Sequence, residues 1–200
     1  MPRLLLATNN PGKAAEFRQL LAGCGWEMVT PTELGLTIQV EETGQTYAEN
    51  ATLKAVEYAR AGGLVTLADD SGLEVDALDG RPGVLSARYA GADRTDQERV
   101  QALLEELASV PDNERTARFR CVIAIADTTG RVELMDGTIE GRIGHGPRGE
   151  NGFGYDPIFL LPERGMTTAE LPPDEKNTVS HRAMAAQKVR TVLERWLRET

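Results

Sequence analysis

The sequence predicts an α/β fold. Two observations lead there. Short continuous apolar runs, Leu4–Leu6 and Leu64–Ala68, are what strands buried on both faces look like. Between such runs lie segments of helical period, two of them opened by a capping box. The chain has 200 residues, 40% hydrophobic and 26% charged, so it is expected to be globular rather than disordered.

The first strand is expected over Arg3–Ala7. A turn-rich loop, Thr8-Asn-Asn-Pro-Gly-Lys13, follows, and then Ala14, Phe17, Leu20 and Leu21 recur at helical spacing up to Gly23. Strand, polar glycine loop and helix is a geometry that aims backbone N–H groups at a phosphate, and Lys13 adds charge there. The loop lacks the Walker A spacing, and an ordinary βα turn is the alternative. Short strands are expected at Met28–Val29 and Leu36–Val40. Thr46 with Glu49 opens a helix from Tyr47 to about Ala61, with Lys54 at the edge of its apolar face.

The run from Leu64 to Ala68 stops on two carboxylates, Asp69 and Asp70, followed by Ser71-Gly72. Leu73, Val75 and Ala77 then alternate with Glu74 and Asp76, as in a half-buried strand. Two carboxylates at the mouth of a buried strand are costly unless compensated, and hard oxygen donors suit magnesium or manganese. A turn capped by Asp69 and Asp70 is the alternative. Glu41 and Glu42 become relevant only if they fold back near Asp70.

Asp79–Gly83 reads as a turn and Ser86–Gly91 as loop. Thr95 with Glu98 opens a helix to about Ser109, burying Val100, Leu103, Leu104 and Leu107. Ala117–Asp127 is the strongest strand; Thr129-Gly130 turns into Val132–Met135, and Ile139–Ile143 extends the sheet. Gly144–Asp156 carries five glycines around Phe153 and Tyr155, which suits either a closely approached planar ligand or a surface loop. A strand at Asp156–Leu161 and a short helix near Thr167–Leu171 lead into a final helix burying Val179, Ala183, Ala186, Val189, Leu193 and Trp196. Lys176, His181 and Arg182 stand near its N-terminal end, where cations oppose the macrodipole unless an anion is present.

The formal net charge of −9 argues against a nucleic-acid-binding module. No apolar run reaches membrane-spanning length, and the N-terminus lacks a signal-peptide pattern. Cys24 and Cys121 have no metal-like spacing and are expected to be reduced thiols in a cytoplasmic protein.

Read together, Thr8–Lys13, Glu41–Ala51, Ala68–Gly72, Gly152–Pro157 and Ser180–Arg182 resemble the inosine/xanthosine triphosphate pyrophosphatases, in the same order along almost the whole chain. The resemblance implies one domain over residues 1–200: a long mixed central sheet flanked by helices, in two lobes with an active-site cleft between them. It implies hydrolysis of ITP, dITP or XTP to the nucleoside monophosphate and pyrophosphate, by a cytoplasmic homodimer. Carried over by position, Thr8, Asn9, Asn10, Pro11, Gly12 and Lys13 would hold the triphosphate, with Lys54. Glu41 and Asp70 would bind magnesium, with manganese as the alternative, and Glu42 is the neighbouring candidate. Asp70 would also activate water, and Ser71 would touch the substrate. Phe153, Gly154, Tyr155 and Asp156 would form the purine pocket with Lys176, His181 and Arg182. Arg182, which has donors only, is expected to read the 6-oxo group. A regulator that binds a triphosphate without cleaving it is the alternative function.

Overall fold

The computed structural model describes residues 1–199. A seven-stranded sheet runs in the order β2-β1-β3-β4-β5-β6-β7. The strands are β1 Arg3–Leu6, β2 Glu27–Val29, β3 Val65–Val75, β4 Thr116–Ala126, β5 Val132–Ile143, β6 Phe159–Leu161 and β7 Met166–Thr167. β1 is parallel to β2 and β3, whereas β6 is antiparallel to β5 and β7, so the sheet is mixed as expected. The helices are α1 Pro11–Leu20, α2 Tyr47–Gly62, α3 Asp96–Glu106, α4 Pro173–Val179 and α5 His181–Glu199.

The chain divides into two compact units. Unit 1 comprises Met1–Asp70, Cys121–Gly137 and the segment from Arg182 onward; unit 2 comprises Ser71–Arg120 and Thr138–His181. Each has its own core. Leu4, Leu6, Phe17, Leu67, Ile123, Val189, Leu193 and Trp196 pack together in unit 1. Leu73, Val75, Leu103, Leu107, Phe119, Tyr155, Ile158 and Phe159 pack together in unit 2. Cys24 and Cys121 are free thiols buried in the first core.

Both capping boxes form: Thr46 and Glu49 open α2, and Thr95 and Glu98 open α3. Other expectations are corrected. β3 does not stop at Asp69-Asp70; it is one strand of 11 residues that carries both carboxylates in its interior. The turn reading of that pair therefore falls. Residues 36–40 form no strand: Leu36, Ile38 and Val40 do alternate in burial, but the Ile38 carbonyl accepts from the Tyr58 hydroxyl instead of from a ladder. Thr167–Leu171 is not helical. Met166–Thr167 pairs with β6, and the Glu170 carboxylate accepts from the Thr167 N–H. Ser86 falls in a short 3₁₀ segment, Gly83–Arg88, rather than in loop. The final helix is two: Ser180, in extended conformation, separates α4 from α5.

Candidate active site

In unit 1 the apolar β1 ends in the predicted glycine loop. Asn10 caps α1, its side chain accepting from the Lys13 N–H at 3.1 Å, and the Asn10 N–H donates to Thr8 Oγ1 at 3.1 Å. The cap turns the Lys13 side chain back toward β3, where its Nζ lies 2.9 Å from Asp69 Oδ2. Thr8, Asn9, Asn10 and Pro11 line a depression of about 370 Å³ whose walls do not include Asp70.

Asp69 and Asp70 are both buried, at 2% and 5% exposure. Adjacent residues of a strand point to opposite faces of the sheet, and their partners differ accordingly. Asp69 Oδ2 takes Lys13 from α1 and, at 3.2 Å, Arg182 from α5. Asp70 meets α2: Asn50 Nδ2 donates to Asp70 Oδ2 at 3.1 Å, and Lys54 Nζ is 3.8 Å from Asp70 Oδ1. Asn50 and Lys54 are one helical turn apart, so they share a face. Lys54 Nζ also donates to the Asp69 backbone carbonyl at 2.6 Å and to Glu42 Oε1 at 2.7 Å. Asn50 Oδ1 in turn accepts from the Gly44 N–H at 2.8 Å, which ties the Glu41–Gly44 loop to the carboxylates.

The surroundings drive the two carboxylates apart electrostatically. Burial alone would raise the pKa of Asp69, but Lys13, Arg182 and Lys54 override it and hold the group well below the usual carboxylate range. Burial also raises Asp70, Lys54 opposes the rise, and Glu42 adds to it; the net shift is upward. Burial works against the charge of Lys54, yet Asp69, Asp70 and Glu42 outweigh it and raise its pKa. A buried carboxylate poised above its ordinary value is a candidate base.

Glu42 is the member of the acidic pair brought beside Lys54 and into the field of Asp70, while Glu41 is exposed. Among the described residues no cluster of three or more His, Cys, Asp or Glu side chains is preformed to hold a metal. The nearby donors, Asp70 and Glu42, are hard oxygens that repel each other. That set suits magnesium, which is commonly held by one or two carboxylates together with substrate phosphates and water.

In unit 2 the glycine-aromatic loop is anchored on Asp156, which is 3% exposed. Lys176 Nζ donates to Asp156 Oδ2 at 2.5 Å, the Phe153 N–H to Oδ2 at 2.8 Å and the Thr168 hydroxyl to Oδ1 at 2.8 Å. Gly152 has φ +78°, and a Cβ there would fall 2.1 Å from Asp156 Oδ2, so glycine is required on both counts. The Lys176 ammonium lies 5.0 Å from the Phe153 ring centroid. Tyr155 donates to the Ser86 carbonyl at 3.0 Å, and the Gly154 N–H to Asp96 Oδ2 at 2.8 Å, which pins the loop to the first turn of α3. His181 stacks on Phe119 with centroids 4.9 Å apart. A depression of about 570 Å³ is lined by Asp96, Gln101, Asn151, Phe153 and Gly154 among others.

Phe153–Asp156, Lys176 and His181 thus belong to unit 2, with Ser71, which is half-buried in β3. Thr8–Lys13, Glu41, Lys54, Asp70 and Arg182 belong to unit 1. Lys176 and Arg182 hold different carboxylates: the first is on Asp156, and the second has Nη1 2.5 Å from Glu16 and Nη2 on Asp69. Sequence reasoning missed Asn50, Glu16 and Thr168. For Asn50 a signal existed, its position four residues before Lys54. For Glu16 the signal was its position three residues after Lys13; for Thr168 there was none.

Residues 4–192 match the model of the Ham1 family. A dITP/XTP pyrophosphatase of Bacillus subtilis is 46% identical over 194 residues, spanning 97% of this chain and 98% of that protein. One from Desulforamulus reducens is 50% identical over 193 residues, or 96% of each. Among solved structures, a HAM1 protein from Coxiella burnetii shares the fold with a TM-score of 0.87 and 46% identity, covering 96% of this chain and 98% of that one. With the family pattern matched from the first strand into the last helix, the chain belongs to the Ham1 family.

Proposed function

We propose that the protein hydrolyses deaminated purine nucleoside triphosphates, ITP, dITP and XTP, to the monophosphate and pyrophosphate. The observation that carries this reading is the pair in β3: a buried carboxylate of raised pKa, Asp70, flanked by Lys54 and backed by the Lys13–Asp69 pair. The activity for which the similar proteins are named, dITP/XTP pyrophosphatase, supports the substrate class.

Phosphoryl-type transfer asks a protein for positioning and charge neutralisation rather than covalent chemistry. Lys13, Lys54 and the N–H groups of the Thr8–Gly12 loop would neutralise the polyphosphate. Asp70 would accept the proton of the attacking water as the α–β phosphoanhydride breaks. Asp70 with Glu42 or Glu41 would hold a divalent cation. That ion, when bound, would offset the charge of the phosphates and polarise the reacting one. Ser71 would touch the substrate, and Phe153, Gly154, Tyr155, Asp156, Lys176, His181 and Arg182 would form the purine site. Lys176, with donors only, suits a 6-oxo group better than the 6-amino group of adenine.

No helix among the described residues is long and apolar enough to cross a membrane. A cytoplasmic location and a homodimer complete the reading; sedimentation equilibrium tests the second. The test of the function is a panel of ITP, XTP, dITP, GTP and ATP with magnesium, scored for pyrophosphate, with a chelator control. Pyrophosphate release from ITP and XTP well above ATP is expected. Tight binding without release would instead make the protein a triphosphate-binding regulator.

A further inference from the structure

Asp69 has no part in the chemistry above, although it is more deeply buried than Asp70. It sits inside a chain of alternating charge within unit 1 that runs from Lys13 of α1 through Asp69 of β3 and Arg182 of α5 to Glu16 of α1. The contacts are Lys13–Asp69 at 2.9 Å, Asp69–Arg182 at 3.2 Å and Arg182–Glu16 at 2.5 Å. Lys13 and Glu16 are three residues apart and so share one face of α1. The Asp69 and Arg182 side chains are each 1% exposed, whereas that of Lys13 is 17% exposed, the one member of this ion pair open to solvent. The Cys121 sulfur, 4.0 Å from Asp69 Oδ2, has its pKa pushed up to about 12 by burial and by this carboxylate, so it stays a neutral wall of the site. A carboxylate already shared by two cations is a poor ligand for a third, and its side chain points to the face of β3 opposite that of Asp70.

We propose that Asp69 is a positioning residue for the proposed reaction. It holds Lys13 at the mouth of the glycine loop and braces it, through Arg182 and Glu16, against α5. It touches neither the metal nor the substrate. The inference rests on Lys13 being a phosphate contact, and the test separates the two ideas. The probe is inorganic triphosphate, which has phosphates but no base, measured as a competitive inhibitor of ITP hydrolysis in wild type, Lys13→Ala, Asp69→Asn and the double variant. Lys13→Ala and Asp69→Asn are each expected to weaken the inhibition constant by about tenfold. In the Lys13→Ala background, Asp69→Asn is expected to add less than about twofold, because its effect passes through the lysine. Multiplicative effects in the double variant would overturn the proposal. No effect of Lys13→Ala alone would overturn the phosphate assignment of Lys13 instead. Should Asp69→Asn fail to fold, Asp69→Glu keeps the charge and moves it by one methylene. The same cycle is then expected, with a smaller first step, and additivity overturns the idea equally.

Discussion

Asp69 and Asp70 are adjacent in β3, yet one is held well below the usual carboxylate range while the other is raised above its ordinary value. The difference comes from what faces them: α1 and α5 bring cations to Asp69, while α2 brings one lysine, and the loop before it Glu42's opposing charge, to Asp70.

The first consequence is a pair of stability changes of opposite sign. Asp70 has a raised folded pKa, so its contribution is present below the unfolded pKa and lost as pH rises through the folded value; when ionised it works against folding. Asp69 has a depressed pKa, so its contribution is present above the unfolded value of about 3.9 and lost as pH falls through the folded one. At pH 7.5 Asp70→Asn is expected to raise Tm by about 2–4 °C. Asp69→Asn is expected to lower it by at least about 6 °C, because Lys13 and Arg182 lose a buried partner. Thermal unfolding of both variants checks this, and shifts of the same sign would contradict the picture.

Asp70→Asn is also expected to lower kcat by about 10² or more, since it removes the base and a negative metal ligand. Triphosphate binding should persist in part through Lys13 and Lys54. Near-normal turnover would remove Asp70 from the mechanism.

The two glutamates can be separated by titration of the metal-free protein. Glu42 helps raise the pKa of Asp70, whereas the hydrogen bond from Asn50 lowers it. Glu42→Gln is expected to move the Asp70 titration to lower pH, Asn50→Ala to move it higher, and Glu41→Gln to leave it in place. Carbon-detected NMR of the Asp70 carboxyl reads all three. A shift with Glu41→Gln equal to that with Glu42→Gln would mean that the loop does not hold this geometry in solution.

Base selection divides Lys176 from Arg182. The Arg182 guanidinium is engaged by Glu16 and Asp69, so Arg182→Ala is expected to slow ITP and ATP together, with the ratio of their kcat/KM values changed by less than about threefold. Lys176→Ala is expected to lower that ratio by about tenfold or more, in line with loss of a hydrogen-bond donor to the base. Collapse of the ratio in Arg182→Ala would return the reading of the 6-oxo group to the arginine.

Gly152→Ala tests the anchor of the purine loop. The added Cβ meets the Asp156 carboxylate at a backbone angle that L-residues rarely adopt. A loss of about 2 kcal/mol and a raised KM for ITP are expected. Unchanged KM would show that the loop does not contact the base.

Much of this was legible in the sequence because it was local. Apolar runs and capping boxes each depend on neighbours a few residues away; the start of α1, at Pro11 and not at Ala14, was not legible, because the turn-forming residues Asn10, Pro11 and Gly12 also suit a loop. The interior position of Asp69 and Asp70 was not legible, because the groups that make it tolerable come from residues 13, 50, 54 and 182. Without those partners two adjacent carboxylates look like a strand end. Likewise residues 36–40 alternate like a strand, but whether a ladder exists depends on a neighbour that the alternation does not reveal. The split at Ser180 left no mark, since both flanking segments share helical spacing.

Because β3 continues through the carboxylate pair, the site is sensitive to chain length in a way that it is not to composition. One residue inserted between Leu67 and Asp69 would rotate every later side chain of the strand to the other face. The permanently anionic residue would then meet α2, and the proton acceptor would meet α1 and α5. An insertion or deletion here therefore exchanges two incompatible roles in a single step, and no later point substitution restores both.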